Sequence, residues 1–517
     1  MGVGVRPSRA GAHQPLDDLS GRAPPSQVRA DPLDEVLRGK AVYKRQRPRP
    51  SRRRPAEQRW PRDAAGGRGP HHRGKTGAAP SNPPIALPRP QTAAYARGAE
   101  GPDLTRSGCA QWDTLYPAPS PWSNGYILYP IRWRLPVITR RSPWMDDDLD
   151  DVRDLARTFC EKEIKPHIET FIADKHVDRQ LWNSAGDVGL LCLSIPEEYG
   201  GGGGTFAHEA ILIEEQARVG DSSWGASLHN GIVAHYLLAY GTEEQKQHWL
   251  PKMASGEVVG AIAMTEPGTG SDLQNIKTKA VREGDDYLVS GSKTFITNGS
   301  QADLVLTVVK TDPDDRAAGI SLMLVPTSAE GFSRGRVLDK IGMKGQDTSE
   351  LFFDNVRVPV TNLLGLTEGQ GFLQLMQQLP QERLLVAVSN VAAMEFCLAE
   401  TMTYVHDRSA FGRPIWGFQN TKFKMAEVAT EARVARSFVD ECIQLHLAGG
   451  LDIPTAAMVK LWCSERAQRV ADTCLQLHGG YGYMNEYPIA RIWADMRVSQ
   501  IYAGTSEIMK EIISRSL

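Results

Sequence analysis

Glu382 and Arg383 stand side by side in Leu379-Pro380-Gln381-Glu382-Arg383-Leu384-Leu385, at the head of a long apolar run. A carboxylate half sunk in apolar surroundings holds a proton more tightly and can serve as a base, because burial disfavours its charged form. An arbitrary helical Glu more often pairs with a nearby cation on the surface. Four further stretches bear on the choice. Thr265-Glu266-Pro267-Gly268-Thr269-Gly270-Ser271-Asp272 joins glycines, hydroxyls and an acid. Glycines let a backbone approach a flat ligand, and N–H and hydroxyl groups donate to carbonyl or ring-nitrogen acceptors; the same composition also makes a tight loop. In residues 290–299, Phe295 is flanked by hydroxyls such as Thr294 and Thr297, although a lone Phe is more often core. The others are Gln476-Leu477-His478-Gly479-Gly480-Tyr481-Gly482-Tyr483, with Glu486, Arg491 and Asp495 beyond it, and Ile501-Tyr502-Ala503-Gly504-Thr505-Ser506-Glu507-Ile508.

The elements that must position these residues change period twice. From Asp148 to Lys175 apolar residues recur at helical spacing (Leu155, Phe159, Ile164, Ile168, Phe171), with Pro166 as an expected break. Helical spacing resumes over Ala207 to Val219 and Ser227 to Tyr240, and Thr242-Glu243-Glu244 opens another helix with an N-cap and early acids. Gly200 to Gly204 lacks the Lys-Ser/Thr of a phosphate loop and is expected to be a flexible connection. After Gly256 short runs rich in Val, Ile, Leu and Phe (258–264, 287–290, 304–309, 320–325, 351–353) read as strands of a compact barrel or sandwich. From Gly371 onward the spacing is helical again: Leu385, Val388, Ala392, Phe396 and Ala399 share a face that Met402, Val405 and His406 prolong. The fold class expected is α+β, in the order helices, strands, helices.

The net charge of -2 hides two unlike parts. Residues 1–144 hold 25 Lys+Arg against 10 Asp+Glu and 22 of the 33 prolines; residues 145–517 hold 34 against 51. The basic part is too poor in apolar residues to offset its ordering entropy and is expected to be disordered. A mitochondrial transit peptide fits badly, since prolines interrupt every helical window and Asp17, Asp18, Asp31, Asp34 and Glu35 intervene. A nucleic-acid arm lacks accompanying aromatics or a motif. Translated upstream sequence of a GC-rich genome fits better, with the functional start near Val137 or Met145. Seven scattered cysteines without C-x-x-C or His spacing point to a reducing compartment and to no metal. No apolar run reaches the roughly 20 residues of a membrane span, and a cytoplasmic protein without nucleic-acid partners is expected.

Taken together and in this order, the four stretches resemble the acyl-CoA dehydrogenase family, over about residues 147–517 and with both of its signature regions, Ala263 to Asp272 and Gln476 to Asp495. Gln381-Glu382-Arg383-Leu384 and Ala503 are most similar to its long-chain and isovaleryl branch. The resemblance implies an N-terminal all-α domain (145–258), a middle β domain (259–366) and a C-terminal four-helix bundle (367–517). It also implies FAD, an acyl-CoA substrate, an electron-transfer flavoprotein as electron acceptor and a homotetramer. By the same likeness Met264, Thr265 and Ser271 would line the flavin ring, with Ser271 also near the CoA part, and Phe295 and Thr297 would cover the ring's other side. Arg408, Phe411, Gln419, Gln476 and Gly480 would meet the pyrophosphate half of a neighbouring subunit's FAD, while Thr505 and Glu507 would lie near the adenosine of the subunit's own.

A thioester α-hydrogen is too weakly acidic for a carboxylate of ordinary pKa near 4, so the site must acidify the substrate and raise the base. Two hydrogen bonds to the thioester carbonyl, each worth about 3 kcal/mol in a dry site, would stabilise the enolate. The resemblance assigns them to an FAD ribityl hydroxyl and the Ala503 N–H, with the β-hydrogen leaving as hydride to flavin N5. Many members carry Glu where this chain has Ala503; the long-chain and isovaleryl branch supplies the base from the position of Glu382. Arg383 would orient the site, contact substrate and restrain the pKa shift. The rivals are an acyl-CoA oxidase and a silent flavin-binding scaffold. Gly231, Ala234 and Ala239 are small enough to permit a deep acyl pocket, and chain length is left open.

Overall fold

The structure, a computed structural model, describes residues 141–517. The Pro/Arg-rich extension expected over 1–144 lies, up to residue 140, outside the described residues, as does Cys109. The first helix, α1 (Asp147–Phe159), starts where the Asp146 side chain accepts the Leu149 N–H at 2.9 Å, with three acids in its first turn to complement the helix dipole. The chain then passes through a π-turn (Cys160–Ile164) and a 3-10 turn (Lys165–His167) holding Pro166 before α2 (Ile168–Asp174), so the proline bends the path without ending it. Helix α3 (Arg179–Asp187) follows.

The glycine run departs from expectation. The N–H groups of Gly202, Gly203 and Gly204 bond to the carbonyls of Cys192, Ile195 and Leu193 at 3.1, 2.8 and 2.9 Å, and a Cβ at Gly201 would stand 2.3 Å from the Ile195 carbonyl oxygen. The run is a fixed loop folded onto residues 192–196, and glycine is needed because two backbones touch. Capping boxes open α4 (Phe206–Arg218), through Thr205 and His208, and, after α5 (Ala226–Leu228), a π-turn (His229–Val233) and α6 (Ala234–Tyr240), also α7 (Glu243–Ala254), through Thr242 and Gln245.

The β region is one seven-stranded sheet: β1 (Gly260–Ala263), β2 (Lys279–Glu283), β3 (Asp286–Thr297), β4 (Leu304–Lys310), β5 (Ile320–Pro326), β6 (Phe332–Val337) and β7 (Thr348–Pro359). Its order is β1-β4-β2-β3-β7-β6, with β5 also on β4; β1 runs parallel to β4 and β3 antiparallel to β7. Apolar runs locate β4 and β5, which are almost wholly buried. Strands β2 and β6 escape that criterion: only Ala280 of β2 is buried, and no residue of β6.

Five helices complete the chain: α8 (Gly371–Asp407), α9 (Gln419–Leu447), α10 (Ile453–His478), α11 (Pro488–Met496) and α12 (Ser506–Ser514). A core of Phe159, Trp182, Ile211, Trp224, Val388, Met394, Val439 and Val470 runs unbroken from the first helices into α8, α9 and α10. By length and composition α8 is apolar enough to cross a bilayer, which corrects the expectation that no such stretch exists; Gln381, Glu382 and Arg383 stand at the head of its apolar run, and Asn390 and Glu395 interrupt the run in sequence but not the helix. Its most apolar window is 72% buried inside the protein, so it is the core helix of the fold. The six described cysteines are buried and free.

Candidate active site

Glu382 sits on α8 two residues after Pro380, whose missing N–H leaves the preceding turn without one hydrogen bond. Glu382 is 6% exposed. It accepts a 2.8 Å hydrogen bond from the hydroxyl of Tyr236, itself fully buried on α6. Burial pushes Glu382 up to about 7, restrained by the Tyr236 bond and then by the charge of Arg383. Tyr236 is driven well above its ordinary value by burial and by the carboxylate beside it. Sequence reasoning missed Tyr236; only its place on a helix expected to line a cavity pointed to it.

In the π-turn before α6 the Gly231 carbonyl accepts from Gln381 Nε2 at 2.6 Å, and Gln381 Oε1 lies 3.0 Å from His446 Nε2 on α9. A Cβ at Gly231 would stand 2.7 Å from Leu385 Cδ1, so the turn and α8 approach as closely as glycine allows. Ala234 is buried near by, whereas Ala239 faces outward because it lies on the opposite side of α6, and its place in an acyl pocket is withdrawn. Arg383 is 4% exposed, its Nε has no hydrogen-bond partner, and burial lowers its pKa. Ala503, half-buried, takes a left-handed backbone (φ 50).

Met264 and Thr265 leave β1 half-buried, and Ser271 is exposed beyond a turn closed by reciprocal Glu266–Thr269 backbone bonds of 2.9 and 3.1 Å. The buried Glu266 carboxylate fixes this loop: it accepts from the Lys277 and Thr278 N–H groups and pairs at 3.0 Å with Lys293, whose Nζ also donates to the Met264 carbonyl. This staple was not foreseen, since Lys293 lies on another strand. Side chains added at Gly268 or Gly270 would meet nothing within 4 Å, so the loop faces open space. A register shift between Lys293 and Ile296 turns Phe295 outward at φ 62, leaving it 67% exposed, with Thr297 closing β3 against Thr348. An exposed ring on a bulge is not core packing.

Arg408, Gln476 and Gly480 line one cavity of about 520 Å³ with Tyr404, His478, Gly479 and Tyr481. The Arg408 guanidinium lies 5.6 Å over the Tyr481 ring. His478 stacks on Tyr404 at 4.1 Å, and both of its ring nitrogens are buried without a partner. Phe411 (94% exposed) and Gln419 at the start of α9 do not line this cavity. Thr505 spends its hydroxyl capping α12, where it accepts the Ile508 N–H at 3.3 Å, and Glu507 is exposed in the first turn.

Three family models cover the described region: acyl-CoA dehydrogenase N-terminal domain at 146–257, middle domain at 261–356 and C-terminal domain at 369–517. The chain is similar to the mitochondrial long-chain specific acyl-CoA dehydrogenase of Sus scrofa, 49% identical over 370 residues, or 71% of this chain and 86% of that one. Among solved structures it resembles an acyl-CoA dehydrogenase of Geobacillus kaustophilus (48% identity, TM-score 0.71, covering 73% of this chain and 99% of that one). It also resembles a glutaryl-CoA dehydrogenase of Mycobacterium smegmatis in complex with FADH2 (29% identity, TM-score 0.68, 72% and 95%). With three consecutive domain models, a close relative over most of its length and a matching fold, the chain belongs to the acyl-CoA dehydrogenase family of oxidoreductases.

Proposed function

We propose that this chain is an FAD-dependent acyl-CoA dehydrogenase that makes a trans-2-enoyl-CoA, with Glu382 as the base. The observation carrying this reading is a buried carboxylate held near pKa 7 in a chain that has Ala503, and no acid, at the family's other base position. The residues present fit the cofactor. The loop at Gly268 and Gly270 faces open space that leaves room for a flat ring, which Met264, Thr265, Ser271, the outward Phe295 and Thr297 would line. The cavity of Arg408, Gln476 and Gly480, with its partnerless imidazole, suits a polar, anionic pyrophosphate. With Phe411 and Gln419 these residues would reach that group on a neighbouring copy's FAD, which supports an oligomer, by family likeness a homotetramer; Thr505 and Glu507 would serve the adenosine side of the subunit's own. FAD, when bound, supplies the acceptor for the hydride from the β-carbon.

The protein's own part is proton transfer. Glu382 takes the α-proton of the thioester and becomes neutral, the state that its burial favours, so removing the proton also relieves a buried charge. Charge moves onto the thioester carbonyl, where the Ala503 N–H would donate and the Arg383 cation would favour it. The burial of Glu382 keeps away the water that would otherwise solvate the base. Electrons then leave for an electron-transfer flavoprotein, and long-chain acyl thioesters are the first substrates to try, given the Sus scrofa relative.

The test is anaerobic bleaching of the flavin by an acyl-CoA panel from short to long chains. Wild type should bleach, and Glu382→Gln should slow the reaction by about 10²- to 10⁴-fold. An undiminished rate in the variant would remove Glu382 from the mechanism, and a wild type that no acyl-CoA bleaches would favour the scaffold. Rapid reoxidation by air would favour the oxidase.

A further inference from the structure

Lys460, on α10, is fully buried and stands outside the groups assigned so far. Its Nζ donates a 2.7 Å hydrogen bond to the Gly504 carbonyl, forty-four residues on. Among the described residues no carboxylate comes within ion-pairing distance of it; Arg383 repels it, and Glu465 and Glu507 attract it more weakly. A buried ammonium without a counter-ion is costly, so its position calls for a reason. The partner it does have supplies one. Ala503 and Gly504 are consecutive left-handed residues (φ 50 and 94), a conformation strained for alanine. Such a turn persists only where its surroundings hold it.

We propose that Lys460 is a positioning residue for the reaction: its ammonium clamps the Ala503–Gly504 turn so that the Ala503 N–H faces the thioester carbonyl. It also places a second buried cation, beside Arg383, where the enolate forms. This inference rests on the dehydrogenase reading. The Lys460 ammonium feels the Arg383 guanidinium and not Glu382, whose carboxylate is held by the Arg383 charge and becomes neutral when it takes the proton. The negative charge it loses is regained on the substrate, so the cations favour the enolate over the unreacted thioester. A cation serving only to tie α10 to the turn would stabilise both alike, and the two roles separate on that point.

The experiment uses the flavin-loaded enzyme and an acyl-CoA analogue with sulfur in place of carbon 3. Its α-proton can leave, but it has no β-hydrogen to give up. The pH at which it ionises in the site is read from the long-wavelength band of the complex, alongside kcat and KM for a true substrate. For Lys460→Met we expect the midpoint to rise by about one pH unit and kcat to fall about 10- to 100-fold with KM within about threefold; Lys460→Arg should restore most of both. Should Lys460→Met fail to retain flavin, Lys460→Gln keeps a donor to Gly504 without the charge and carries the same expectation for the midpoint. A wild-type midpoint in a charge-free variant overturns the inference alone. A wild-type enzyme that never forms the band overturns the dehydrogenase reading and the inference with it.

Discussion

A hydrogen bond donated to an ionised group is worth about 1.5–3 kcal/mol, and Tyr236 makes one to Glu382 at 2.8 Å. Glu382 must be ionised to act, and burial has lifted it from 4.5 to about 7, so kcat/KM should rise with pH through that region. Tyr236→Phe removes a bond that favours the charged form, so the rising limb should move about one unit further alkaline, with little change at its plateau. A limb that stays in place would show that the tyrosine does not tune the base. Glu382 and Ala503 were legible as a pair because a family pattern links them. Tyr236 was not, because its partner lies 146 residues away and nothing in the tyrosine's own surroundings marks it.

At the scale of elements, helices with caps and an apolar stripe were readable: the Thr242 N-cap with its early acids is local chemistry, and α7 begins right after it, with Gln245 completing a capping box. What escaped depends on neighbours. Strands β2 and β6 are held by pairing with β3 and β7 and carry almost no buried side chains. The glycine run looked slack because composition does not reveal that a second backbone lies against it. Gly201→Ala tests the fixed loop: it should cost about 1–3 kcal/mol through the clash with the Ile195 carbonyl, seen as a lowered Tm. Gly268→Ala, which meets nothing within 4 Å, should leave the Tm of the flavin-free protein unchanged. Equal tolerance of both would return the run to the status of a loose connection.

On the scale of the whole molecule, one core joins the first helices to α8, α9 and α10, which makes the base's surroundings a property of both ends of the described chain. Among the described residues Phe411 is 94% exposed, with only the Phe418 ring edge-on to it at 6.1 Å. If a neighbouring copy covers it, Phe411→Asp should lower the oligomer's mass in light scattering and release flavin on dilution; an intact, flavin-tight oligomer would count against the shared site. The burial of Glu382 carries a thermodynamic consequence as well. An unfolded chain releases this proton near 4.5 and the folded one near 7, so the folded state binds the proton more tightly. The resulting stability is fully present below 4.5 and is lost as pH rises through 7, a difference of about 3 kcal/mol. Under working conditions the protein thus carries its base as a destabilising charge, and Glu382→Gln should melt above wild type at pH 8, by a margin that narrows as the solution is acidified.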